Sequence, residues 1–147
     1  MVQTQNKHLV ETLEEISKKA ISSNLIPLIT KHGILMGSYL IQPKNGMFEI
    51  KDGPRVLYST FSKSTAMIVV KMMSRNSKSE QIWEVLEADR VAFSARNDLE
   101  VYKYHYENAE KRQDFTKRDI YLSRFDVTNE RYQRAKKVLR KSYSSLF

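Results

Sequence analysis

The sequence predicts an α+β fold, in which a three-stranded antiparallel β-meander packs with helices and a long C-terminal α-helical hairpin follows. Three observations predict it. The last Gly and the last Pro are Gly53 and Pro54, and the 93 residues after them contain neither. Before that point, short aliphatic and aromatic runs alternate with turn residues. Beyond residue 80, apolar residues recur at alternating steps of 3 and 4, the mark of helices with one buried face.

The elements follow in order. Leu9, Leu13, Ile16 and Ala20 share one face of an amphipathic helix over residues 8 to 22. "SNLIPLITKHG" reads as a short second helix, with Ser23 or Asn24 as cap, Pro27 in its first turn, His32 at its C-terminus and Gly33 as the stop. "ILMGSYLIQ", "MFEIK" and "RVLYSTF" are the three strands, separated by the turn signals "PKNG" and "DGP". Ser62 caps a helix whose run "AMIVVKMM" is apolar nearly all round and therefore belongs across the sheet. "SKSE" is a capping box built on Ser77 and Glu80, and it opens the first long helix. Val85, Ala88, Ala92, Ala95, Leu99, Tyr102, Tyr106 and Ala109 form its seam. Asp114 caps the second long helix, whose seam is Tyr121, Phe125, Thr128, Tyr132, Ala135, Leu139, Ser142 and Leu146. Helix accounts for the lost Gly and Pro, which cost about 1 and about 3 kcal/mol in a helix interior. Residues 1–76 are thus expected as an α+β domain and 77–147 as a hairpin arm packed on it or extending from it.

Charge points to the same hairpin. Residues 80 to 110 carry eight acidic against three basic groups, a net of −5, and residues 111 to 147 carry eleven basic against four acidic, a net of +7. Folding back near Asp114 brings Asp98 level with Arg131, where an interhelical pair is expected.

Composition bounds the function. At 147 residues, 41% apolar and 29% charged, the chain is a folding domain rather than a disordered one. It has no Cys, which removes disulfides, thiolate zinc and cysteine nucleophiles and suits a reducing compartment. Stretches free of charge reach only about a dozen residues against the ~20 that span a bilayer. "MVQTQNKH" does not resemble a signal peptide, so a cytoplasmic protein without membrane contact is expected.

No catalytic, metal or cofactor motif emerges. Glu84 with Glu87 and Glu107 with Glu110 resemble the paired carboxylates that hold magnesium in all-helical nucleotide pyrophosphatases. Those pairs lie ~35 Å apart on one helix and cannot converge on one ion. His8, His32 and His105 have no ligand-like spacing. In "VYKYHYEN", Tyr102 and Tyr106 belong to the seam, leaving Tyr104 and His105 exposed. Arg134, Lys137, Arg140 and Lys141 form a stripe outside the seam, a candidate surface for phosphates or a partner protein. The helix–strand–strand–strand–helix order over residues 8 to 75 resembles double-stranded RNA-binding domains. Their basic signature is missing, since "SKSTAM" offers one Lys.

"GSYLIQPKNGMFEIKDGPRVLYSTFSKSTAMIVV", "LEADRVAFSARND" and "KRQDFTKRDIYLSRF" resemble small uncharacterised proteins of T4-like marine phages over residues 33 to 125. The resemblance implies an accessory or assembly role in an infected bacterial cytoplasm. The expected function is a non-enzymatic interaction or assembly protein, homo-oligomeric, without cofactor or small-molecule substrate. Weak, non-specific nucleic-acid binding by the basic C-terminal helix is the alternative, and a metal-dependent nucleotide hydrolase a distant one.

Overall fold

The computed structural model describes residues 25–147, so the helix expected over residues 8 to 22 lies outside the described residues. Five strands form one antiparallel sheet in chain order: β1 (Leu28–Thr30), β2 (Gly33–Met36), β3 (Tyr39–Lys44), β4 (Met47–Asp52) and β5 (Arg55–Thr60). Three helices follow: α1 (Lys63–Ser74), α2 (Ser79–Lys111) and α3 (Phe115–Leu146). The α+β class holds, and among the described residues the strands number five rather than three.

Both extra strands have a local cause. The segment expected as a short helix after Pro27 is β1, paired to β2 with Leu28 opposite Leu35 and Thr30 opposite Gly33. One short helix could not offset its own nucleation, whereas the open β2 edge supplies partners at once. His32 therefore sits in a hairpin turn, where its N–H donates to Thr30 Oγ1 at 3.3 Å while Thr30 Oγ1 donates to the Gly33 carbonyl at 2.7 Å. "ILMGSYLIQ" is two strands because Gly37, at φ 59°, reverses the chain between them. The other turns are as the sequence implies. Asn45 and Gly46 both take positive φ, as a two-residue type I′ hairpin turn requires.

Strand alternation sorts the two faces of the sheet. Met36, Ile41, Ile50 and Thr60 are buried on the face that α1 covers, with Ile34, Tyr39, Phe48 and Tyr58 packed around them. On the other face Glu49 lies between Lys44 and Lys51, at 3.9 and 4.0 Å. As its composition implies, α1 is buried along Ala66, Ile68, Val69, Val70 and Met72. Ser62 caps it, accepting the Thr65 N–H at 3.1 Å. Near its C-terminus Lys71 donates to the Leu146 carbonyl at 2.9 Å and lies 3.9 Å over the Phe147 ring, tying the end of α3 to α1. Burial, with Arg75 nearby, holds the Lys71 ammonium below the ordinary lysine pKa.

The capping box expected on Ser77 and Glu80 does not form, and α2 begins one residue later, without a side-chain cap on its first amides. Lys78 is the N-cap, and its N–H donates to Gln81 Oε1 at 3.3 Å. The reversal between α2 and α3 uses Gln113 at φ 56° in place of a Gly, and Asp114 caps α3 by accepting the Lys117 N–H at 3.2 Å. The two helices run antiparallel, with Ala88, Ala92, Tyr132 and Ala135 in one cluster and the His105 ring stacked on Tyr121 at 4.8 Å. His105 is thus half-buried between the helices rather than exposed. The expected Asp98–Arg131 pair does not form, and among the described residues no salt bridge joins α2 to α3. An exposed pair gains at most about 1 kcal/mol while ordering two long side chains, so seam packing sets the register instead.

Burial along the seam is graded. Val85, Ala88, Ala92 and Ala95 are buried, whereas Leu99, Tyr102, Tyr106, Phe125, Tyr132 and Leu139 are half-buried. Ile82 and Val85 share the core of α1 and the sheet, with Leu86, Leu139 and Leu146 against it. Ile82→Ala should therefore cost about 2–5 kcal/mol, and Leu99→Ala less than half as much, when both are measured by urea denaturation. Equal losses would mean that the far end of the helix pair is packed as well as its base.

Candidate functional site

The groove with the most convergent polar chemistry lies where β5 passes into α1, and a buried carboxylate builds it. Asp89 on α2 is only 4% exposed. Its Oδ2 accepts the Phe61 N–H at 2.7 Å, and its Oδ1 accepts the Ser62 hydroxyl at 3.1 Å. Thr60 Oγ1 donates to the Ser62 carbonyl at 2.6 Å, and Ser62 and Thr65 hydroxyls meet at 2.6 Å. Every link in this chain is local except those from Asp89, which clamp the long helix to the strand–helix junction. With its backbone held, Phe61 stacks on Phe93 of α2 at a centroid distance of 4.2 Å and an angle of 9°.

Beside this stack opens a groove of about 580 Å³ between α1, α2 and α3. Ser62 and Ser64 come from the start of α1, Phe93 and Arg96 from α2, and Tyr132, Lys136, Arg140 and Tyr143 from α3. Its charged lining is Arg96, Lys136 and Arg140 against Asp89 alone. Both Asp89 oxygens are already engaged by protein donors, so the exposed character is cationic. Lys136 and Arg140, four residues apart on one helix, have Cβ atoms about 5–6 Å apart.

The opposite side of the helix pair is electrostatically balanced. There Glu84 and Glu87 face Arg131 and Arg134 around Ala88 and Val91. Arg90 donates to Glu87 through Nε at 3.0 Å, and this hydrogen bond holds the Glu87 carboxyl below its usual pKa. A third, smaller groove of about 430 Å³ lies between β5 and α2, where Trp83 meets Tyr58 edge-on at 6.2 Å. Trp83 is 62% exposed.

The stripe expected from the sequence is exposed at all four positions, yet the structure divides it. Arg140 lines the cationic groove, Arg134 lines the balanced one, and Lys137 and Lys141 line neither. The reason is angular: two successive steps of three residues, each falling about 60° short of a full turn, carry Arg134, Lys137 and Arg140 progressively around α3 rather than along one line. Sequence reasoning missed Arg96, Lys136, Phe93 and Asp89. A signal for three of them is present, since Asp89, Phe93 and Arg96 follow at steps of 4 and 3 on the flank of the seam.

Among the described residues no group of three or more His, Asp or Glu side chains could hold a metal ion, and no helix is long and apolar enough to cross a membrane. No family model, curated protein or solved structure matches the chain.

Removing the clamp should be costly. Asp89→Ala strands the buried Phe61 N–H and frees Ser62, and it should destabilise the protein by about 2–3 kcal/mol in chemical denaturation. Asp89→Asn, which keeps one acceptor oxygen, should lose less. An unchanged midpoint for Asp89→Ala would show that water replaces the carboxylate at no cost.

Proposed function

We propose that the protein is a non-enzymatic interaction protein that assembles with copies of itself through the far half of the helical hairpin. One observation carries this reading. Between residues 97 and 131 the two helices bury only Ala109 and Thr128, yet they expose Val101, Tyr104, Phe115, Ile120, Leu122 and Val127 by 42% or more.

The physical argument is one of coverage. At the base, α1 and the sheet cover the helix pair. Beyond Arg96 some 15 residues of α2, about 22 Å of helix, have only α3 beside them among the described residues. Two helices share a single seam, and large apolar side chains outside it remain in water unless a second surface meets them. Ile120 and Val127 are seven residues apart and lie on one face of α3, as do Phe115 and Leu122. A second hairpin laid against either face completes a four-helix bundle of coiled-coil type. An accessory or assembly role in a bacterial cytoplasm, as the phage resemblance implies, is in keeping with such a module.

Light scattering coupled to size exclusion tests this. The wild-type chain should give a dimer or larger species in the high micromolar range. Ile120→Glu combined with Val127→Glu should give a monomer with unchanged helical circular dichroism, because both positions lie outside the seam. A monomeric wild type at high concentration would remove the proposal.

A further inference from the structure

We propose that the cationic groove at the start of α1 binds single-stranded nucleic acid, with phosphates on Arg96, Lys136 and Arg140 and a base on Phe93. This site is separate from the exposed apolar surface of the distal hairpin and does not depend on self-association.

The chemistry of the lining selects the ligand. Arg96, Lys136 and Arg140 reach the groove from two helices, and among the described residues none of them is in a salt bridge. The Ser64 hydroxyl lies on the same wall, whereas the Ser62 hydroxyl there is held by Asp89. This wall is also the first turn of a 12-residue helix, where early backbone N–H groups lack helical acceptors and favour negative charge. An anion of spread charge fits such a wall better than one compact ion.

The aromatic component narrows the choice. Phe93 is 42% exposed although one ring face lies on Phe61, so its other side remains a platform whose position the Asp89 clamp fixes. Bases stack on such platforms with little regard for sequence. In a duplex the base faces are hidden, and only the backbone could reach the cations. A free nucleotide brings its charge to one end, whereas a strand presents successive phosphates to side chains drawn from α2 and α3. The balanced groove across the helix pair has the same two helices and as many charges, but two of its four are carboxylates. The two grooves therefore serve as internal controls for each other.

The test is fluorescence anisotropy of a labelled oligothymidylate of about ten nucleotides, titrated with the full chain at ~50 mM and ~200 mM salt. Three neutralised phosphates give a slope of log K against log salt of about −2 on a single strand. Arg96→Ala, Lys136→Ala and Arg140→Ala together should weaken binding roughly tenfold or more at the lower salt. Phe93→Leu, which keeps an apolar contact with Phe61, should weaken it about fivefold or more through lost stacking. Arg131→Ala, Arg134→Ala and Lys137→Ala remove the same charge from outside the groove and should leave affinity within about threefold. Absence of binding at the lower salt would overturn the proposal. So would equal losses for the two triple variants, tighter binding of the matching duplex, or competition by thymidine monophosphate at equal nucleotide concentration.

Discussion

The arrangement of the molecule depends on the need to cover α1 on more than one side. Seven of its twelve residues are buried, among them Ile68, Val69, Val70 and Met72. A five-stranded sheet can cover only one flank of such a helix, so the exposed flank must find a second layer. That layer is the base of the hairpin, through Ile82, Val85, Leu139 and Leu146. The hairpin therefore docks by its open end, and its closed end projects. Had α1 been amphipathic, the sheet would have sufficed and the long helices would have had nothing to pack on.

Asp89 fixes the angle at which this docking occurs. Hydrophobic contact is non-directional, and ridges of Ala and Val on α2 could slide on α1 by a turn at little cost. A buried carboxylate with two short-range donors from one junction permits no such slide, because misplacement would leave a desolvated charge without its hydrogen bonds. The same clamp holds Phe61 against Phe93 and brings Ser62 into one groove with Arg96, so the most polar groove is a by-product of the register device.

Much of this was legible in the sequence, and the failures have definite causes. Ser62, Asn45–Gly46 and Asp114 carry local chemistry that decides local structure, and each does in the fold what its chemistry implies. The 3 and 4 spacing located both long helices because every turn repeats the information. By contrast, Leu28–Thr30 is a strand only because β2 lies beside it, and a three-residue segment carries too little periodicity to say so. In the sequence Gly37 reads as part of a strand, because a lone Gly does not announce whether its φ is negative or positive. The cationic groove joins residues 62, 96 and 140. Its existence depends on the docking angle of the hairpin, which no local pattern encodes.

The segregation of charge between the two long helices takes on a different meaning in the structure. Net charges of −5 and +7 suggest helices held together by ion pairs, yet every salt bridge among the described residues joins side chains within one helix or within the sheet. Small seam residues bring the helices close through Ala88, Ala92, Ala95 and Ala135, and the charged side chains then splay to either flank. On one flank Glu84 and Glu87 meet Arg131 and Arg134 and their fields cancel. On the other, α2 offers Asp89, already consumed by the core, and Arg96, so the cations of α3 are left without carboxylates facing them. A long-range attraction that helps the helices find each other is in this way spent unevenly. The surplus is concentrated on the flank where a groove lined by three cations also carries an aromatic platform.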